Sequence, residues 1–141
     1  MESKLNHLLA DLVVEYHKLQ SFHWYVKGPD FFQAHPKIED FYGDVNDFVD
    51  QIAEVILQIG AQPISSMHQF LETSSIEERS DGYVSSRDAY ASIIEDFQSI
   101  LDEASSIKGA ADDENAYLVS TTMDDLIVSF SKALWMLRQG R

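Results

Sequence analysis

Apolar residues recur every three or four positions through four long stretches of the chain. In the first, Leu5, Leu9, Leu12, Tyr16, Leu19 and His23 make one stripe, with Lys4, Asp11, Glu15 and Lys18 off it. That period predicts a helix from Glu2 to about Val26. Lys27-Gly28-Pro29-Asp30 breaks it. A second helix is expected from about Ala34 to Ile59, with the stripe Ile38, Phe41, Val45, Phe48, Ile52, Val55, Ile56 and Ile59. Pro36 is placed in its first turn, where a missing N–H costs nothing, and Gly60 ends it. Gly60 to Val84 reads as a polar link with one short periodic piece, Ile64 to Leu71, and Ser65 as its cap. A third helix is expected from about Ser86 to Ile107 on Ala89, Ile93, Phe97, Ile100 or Leu101, and Ala104, with Gly109 as its stop. The last runs from Asp112 or Asp113 to Gln139 on Ala116, Val119, Met123, Leu126, Ile127, Phe130, Leu134 and Leu137. Aspartates and Glu114 at its start, and Arg138 at its end, suit the helix dipole.

Four amphipathic helices of about 22 to 28 residues, rising about 1.5 Å per residue, make an all-α bundle about 35 to 40 Å long. The first and second helices are joined tightly, as are the third and fourth. The long link between the second and third must cross the bundle's length. That is the single-crossover topology of a ferritin-like four-helix bundle, with a short helix in the crossover. No strand pattern or repeat competes, and residues 1–141 read as one domain.

Composition narrows the function classes. The 141 residues are 45% hydrophobic and 11% aromatic, enough for a real core, and no apolar run is long enough to span a membrane. There is no cysteine, so disulfides and thiolate ligands are excluded. The charged opening MESKLNHLLADL has no apolar signal core, and a cytoplasmic location is expected. A net charge of −14 disfavours nucleic acid, whose binding relies on Lys and Arg, and favours cations.

The candidate chemistry lies between Leu19 and Gly60. His35 follows His23 by twelve residues, Glu39 follows His35 by four, Asp50 follows His35 by fifteen, and Glu54 follows Asp50 by four. Imidazoles with carboxylates suit iron, zinc or manganese. Counted around the second helix, His35, Glu39, Asp50 and Glu54 fall opposite the Phe41–Val45–Phe48–Ile52 stripe and face out of the bundle. Tyr42, Ala53 and Leu57 flank them, too apolar for a plain solvent face, so an interface is expected there. At about 1.5 Å per residue, His35 and Asp50 stand about 22 Å apart and cannot share an ion within one chain. Two copies of the helix packed antiparallel, crossing near Gly43, would set His35 and Glu39 of one beside Asp50 and Glu54 of the other. As alternatives, His35 before Pro36 reads as a helix cap, and Asp50 and Glu54 as a solvated pair.

These residues bring in a resemblance. FHWYVKGPDFFQAH, DFVDQIAE and the terminal LWMLR are similar to the Dps family, the DNA-binding proteins from starved cells within the ferritin superfamily. The likeness covers nearly the whole chain. It implies a hollow shell of twelve identical subunits with iron sites at two-fold interfaces. His23 and His35 would come from one subunit, Asp50 and Glu54 from its partner, and Glu39 would offer a second, weaker iron position. The implied activity is that of a ferroxidase: Fe(II) is oxidised to Fe(III), preferentially by hydrogen peroxide, and stored as ferric mineral. Trp24 would be an electron donor or simply packing. Asp112, Asp113, Glu114, Asp124 and Asp125 are candidates for acidic pores, with Thr121 where relatives often carry an acid, and helix capping is the competing reading for the first three. Val55 stands where relatives often carry Arg. Family DNA binding often uses a lysine-rich tail. Here Lys4 is alone in the first ten residues, so weak or no DNA binding is expected. The alternatives are a nucleoid-binding protective protein and a helical assembly binding zinc or manganese structurally. His7, His17 and His68 have no partner at a convincing spacing.

Overall fold

The amphipathic stretches form helices that pack as the periodicity requires. The computed structural model describes residues 1–140. In chain order the helices are α1 (Glu2–Tyr25), α2 (Phe31–Gln58), α3 (Met67–Thr73), α4 (Ser86–Asp113) and α5 (Tyr117–Gln139). The architecture is all-α: α1 packs on α2, α4 on α5, and these hairpins meet through α1 with α4 and α2 with α5. Leu5, Leu9, Leu12, Ile38, Ile52, Ile93, Phe97 and Met123 are fully buried at the centre. Phe97 meets both Phe41 and Phe130 edge-on, at centroid distances of 5.5 and 5.0 Å. No helix among the described residues is long and apolar enough to cross a membrane.

The crossover is fastened to α1 along its whole length. Asn6 donates to Gln62 O at 3.0 Å and accepts from Ile64 N at 2.9 Å. Asp11 Oδ1 accepts from both Ser74 Oγ and Ser75 N at 2.7 Å. Arg79 donates to Ser21 Oγ at 2.8 Å. At the far end Lys27 N donates to Val84 O at 3.0 Å, and Val84 N to Tyr25 O at 3.2 Å. The short helix α3 lies midway and also packs on α1.

This cover changes the reading of α1. Asp11, Glu15 and Lys18 lie off the apolar stripe, yet all three are buried, because α3, the crossover and α4 enclose that side too. Lys18 Nζ lies 2.8 Å from Asp96 Oδ2 of α4. Glu15 is 0% exposed and neither of its carboxylate oxygens has a hydrogen-bond partner.

Several helix ends differ from the sequence reading, each for a local reason. α2 begins at Phe31, three residues before Ala34, so Pro36 is its sixth residue and not in its first turn. Asp30 O takes the amides of Gln33 and Ala34 and starts the helix without a side-chain cap. The cap of α3 is Ser66 and not Ser65: Ser66 Oγ accepts from Gln69 N at 3.2 Å, and Gln69 Oε1 reaches back to Ser66 N. Gly109 does not stop α4. The helix continues to Asp113, and the turn falls at Asn115, whose φ of 57° is one that asparagine tolerates. Asp112 and Asp113 therefore end α4, with Glu114 as its C-cap, and do not open α5. Their charge opposes the dipole there. Lys108 offsets it, 4.0 Å from Asp112 and 2.9 Å from Asp124.

Burial, reinforced by Asp96, pushes the Glu15 carboxyl well above its usual range. A carboxyl raised on folding keeps its proton while the unfolded chain loses it. Its stabilising share is complete below about pH 4.5 and declines as pH climbs toward the folded value. Glu15→Leu removes that decline and the orphaned polar atoms. It is expected to stabilise the protein by about 1–3 kcal/mol at pH 7, raising Tm by roughly 3–10 °C. The gain should shrink toward pH 4. Thermal denaturation at both pH values checks it, and a variant less stable than the parent at pH 7 would contradict the account.

Candidate metal centre

His23 lies in the last turn of α1 and His35 in the second turn of α2. The loop between them is short. Gly28, at φ 136°, makes the turn that an L side chain would strain, and its carbonyl takes the amide of Phe31 at 3.1 Å. The loop folds the two histidines onto each other. His23 Nδ1 donates to His35 O at 2.7 Å, and His35 Nδ1 donates to His23 O at 2.7 Å. The rings stack with centroids 3.6 Å apart and planes 10° from parallel. Phe31 covers His35 at 4.7 Å, and Tyr42 meets His23 edge-on at 5.4 Å.

A carbonyl can only accept, so each Nδ1 must carry the proton. In the neutral ring that tautomer leaves Nε2 with its lone pair, the form that binds a cation. His23 is 6% exposed, and its Nε2 stands 3.5 Å from Oε1 of Glu39. Glu39 is thus the carboxylate that the chain itself brings to the pair.

Asp50 and Glu54 lie further along the same helix, exposed. A helix keeps them about 22 Å or more from His35, so one chain does not bring them to the histidines. The face they share is unpartnered. Gly43 has nothing within 4 Å of where a Cβ would stand, Leu57 is 59% exposed, and Tyr42 and Ala53 are only half-buried. Its acids are Glu39, Asp50 and Glu54, all exposed. Asp44 lies round the helix from this face, beside Phe41, Phe48 and Phe130, and partial burial, then Asp47 and Asp40, raises its carboxyl. Val55, directly after Glu54, is buried.

The remaining candidates stand apart. Trp24 is 60% exposed, with His17 edge-on to its ring at 5.8 Å. Asp112 accepts from Ser120 Oγ at 2.5 Å, Asp124 pairs with Lys108, and Asp125 accepts from Gln51 at 2.9 Å. A further group, missed in the sequence, converges between α1 and α4: His7, Asp11 and Glu103, whose ligand atoms lie within 4.8 Å of one another. The i, i+4 spacing of His7 and Asp11 was its one visible sign, and Glu103 joins them only through the packing of α4 on α1.

With the geometry in hand, the likeness to known proteins is extensive. A family model described as a ferritin-like domain matches residues 2–139. The DNA protection during starvation protein 2 of Bacillus anthracis is 37% identical, over 95% of this chain and 91% of its own length. The DNA protection during starvation protein of Helicobacter pylori is 32% identical, over 94% of this chain and 92% of its own length. The crystal structure of a Dps protein from Vibrio cholerae O1, described as a member of a broad superfamily of ferritin-like diiron-carboxylate proteins, superposes with a TM-score of 0.94. It is 30% identical and is covered over 98% of this chain and 86% of that one.

The crossed histidine bonds make a spectroscopic prediction. In histidine-labelled, metal-free protein at pH 8, solid-state ¹⁵N spectra should show two rings protonated at Nδ1 and bare at Nε2. Both signals should vanish in His23→Gln/His35→Gln. Finding both rings as the Nε2–H form common in water would refute the crossed geometry.

Proposed function

The chain belongs to the Dps family of ferritin-like proteins, and from that membership we propose that it is an iron-storing, iron-detoxifying ferroxidase of the cytoplasm. Fe(II) is its substrate and cargo. It binds where two subunits meet, between His23 and His35 of one chain and the partner subunit's Asp50 and the partner subunit's Glu54. The observation that carries this reading is the crossed pair of histidines, with Nε2 atoms turned from the crossed bonds at the end of an outward acidic face whose Asp50 and Glu54 cannot reach them within one chain. An antiparallel two-fold pairing of α2 completes two such sites per dimer, and dimers so made would build a closed shell of twelve.

Each group has a distinct part. The imidazoles add neutral donors of borderline softness. The carboxylates supply negative charge, which favours the ferric over the ferrous ion. Glu39, beside His23, offers a second position for a second ion. Hydrogen peroxide takes one electron from each of two Fe(II) ions. With two protons its O–O bond breaks to give two waters and leaves two Fe(III), so no hydroxyl radical is released. The ferric product passes to mineral inside the shell. Zinc and manganese suit the same ligands and would compete, but zinc has no redox step to offer.

Ferric absorbance after anaerobic Fe(II) loading and peroxide addition tests this. The parent protein should form soluble ferric product quickly, and Asp50→Ala/Glu54→Ala should slow it by more than about 10-fold while remaining helical. Equal rates would remove the intersubunit site. Sedimentation should give a dodecamer, and a monomer would do the same.

The DNA-protective name of the relatives is a separate matter. A charge of −14 per chain offers phosphates little to neutralise. No shift of duplex DNA is expected in a gel at about 150 mM salt without divalent cations. A clear shift there would restore the nucleoid-binding reading.

A further inference from the structure

The seam between α1 and α4 is polar where a bundle is usually apolar. Its upper level is His7, Asp11 and Glu103; its lower level is Glu15, Lys18 and Asp96. His7, Asp11 and Glu15 succeed one another at i, i+4 and i+8 and so share one face of α1. Four carboxyl groups thus meet one ammonium and one imidazole along this seam, with Asp11, Glu15 and Lys18 buried and His7 half-exposed.

The upper level is already arranged as ligands. His7 Nδ1 contacts Glu103 Oε1 and lies 3.4 Å from Asp11 Oδ2. Tetrahedral ligands at about 2.1 Å from an ion stand about 3.4 Å apart, so the His7–Asp11 separation already fits and the His7–Glu103 hydrogen bond opens to admit the ion. Each group is also held from behind. Asp11 is 1% exposed, and its Oδ1 is taken by Ser74 Oγ and Ser75 N, which leaves Oδ2 for the cluster. His7 Nε2 is bonded to Ser75 Oγ at 2.8 Å, which leaves Nδ1 facing the two carboxylates. Backing of this kind fixes the tautomer and direction of a metal-bound histidine and carboxylate.

A second observation is independent of these three. The Glu15 carboxyl, one turn along the same face, is fully buried with both oxygens unpartnered, and Asp96 foremost, then Asp11, opposes its ionisation. Lys18 does not answer Glu15 by hydrogen bonding; its partner is Asp96. The acid groups of the seam outnumber its cationic partners, and Glu15 keeps its proton in the ion-free chain.

We propose that the α1–α4 seam holds an intrasubunit divalent-cation site, with His7 Nδ1, Asp11 Oδ2 and Glu103 Oε1 as ligands. One imidazole and two carboxylates select a borderline ion of the Zn(II) or Fe(II) class. The site is distinct from the intersubunit centre: it shares no residue with it and is complete within one chain. The ion would replace the proton between His7 and Glu103 and cross-link α1, α4 and, through Ser74 and Ser75, the crossover.

Zn(II) titration by calorimetry, in the Asp50→Ala/Glu54→Ala background, tests the proposal. About one Zn(II) per chain with micromolar or tighter affinity should be lost, or weakened by more than about 10-fold, on adding His7→Ala or Glu103→Gln. Zn(II) bound by the remaining His23, His35 and Glu39 would be indifferent to those changes. Anomalous diffraction from unaltered protein soaked in Zn(II) should place a peak among the three ligand atoms, whether or not the variants fold. In the otherwise unaltered chain, His7→Ala should leave iron oxidation intact. Absence of the peak, or Zn(II) binding unaffected by both substitutions, would show the cluster to be a hydrogen-bonded fastener for the crossover and overturn the proposal.

Discussion

Two crossed hydrogen bonds between α1 and α2 hold the functional end of this molecule. An α-helix leaves its last four carbonyls unsatisfied. At the end of α1 these come from Phe22, His23, Trp24 and Tyr25. Val26 N takes the first, the His35 side chain the second and Val84 N the last. A candidate ligand is thus also a helix cap, and its partner returns the bond to His35 O. The cap reading and the ligand reading of His35 are compatible, because capping uses Nδ1 and liganding uses Nε2. The same two bonds close the α1–α2 hairpin, stack the rings, and set the neutral tautomer in which both can bind a cation.

The second constraint is that α1 has almost no solvent face. In a plain four-helix bundle an outward stripe of each helix stays wet. Here the crossover lies along α1 from Asn6 to Lys27 and takes that stripe for itself. Polar residues on the covered face must then find partners within the protein. Asn6 and Asp11 do so by bonding the crossover backbone. Lys18 and Asp96 pair with each other. Glu15 does not. A buried acid without a partner costs more than a buried hydrocarbon of the same size, so its presence needs a reason other than packing.

The helices were legible because each buries one face against a neighbour, which writes the period into the chain. The histidine pair was legible because a twelve-residue spacing spans one helix end, one tight turn and one helix start. The outward direction of Asp50 and Glu54 followed from angle counting alone. What was hidden depends on contacts between distant segments. Nothing local says that Asp11 lies under Ser74 and Ser75, or that Glu103 of α4 comes to rest on His7. Gly109 carries a helix-stop signal, yet Ala104, Ile107 and Ala111 are buried in register on both sides of it, and packing overrides a propensity cost of about 1 kcal/mol. The turn passes to Asn115, which takes the positive φ.

The two clusters handle negative charge in opposite ways. On the outer face of α2, Glu39, Asp50 and Glu54 stand in water and are individually cheap. Under the proposed two-fold pairing that economy ends, because antiparallel packing sets one acidic face against its own copy and strips part of its water. Like charges brought together and desolvated oppose association, whereas the exposed Leu57 and half-buried Tyr42 and Ala53 favour it. A divalent ion held between His23, His35 and the partner's acids removes part of the repulsion where it is greatest. Binding to the paired state and not to the separated one shifts the balance toward pairing by mass action. Metal uptake and assembly are then a single linked equilibrium, with the acids of α2 serving both as ligands and as the reason an ion is needed. In the α1–α4 seam the charge was buried when the chain folded, and an ion entering there would relieve a cost already incurred.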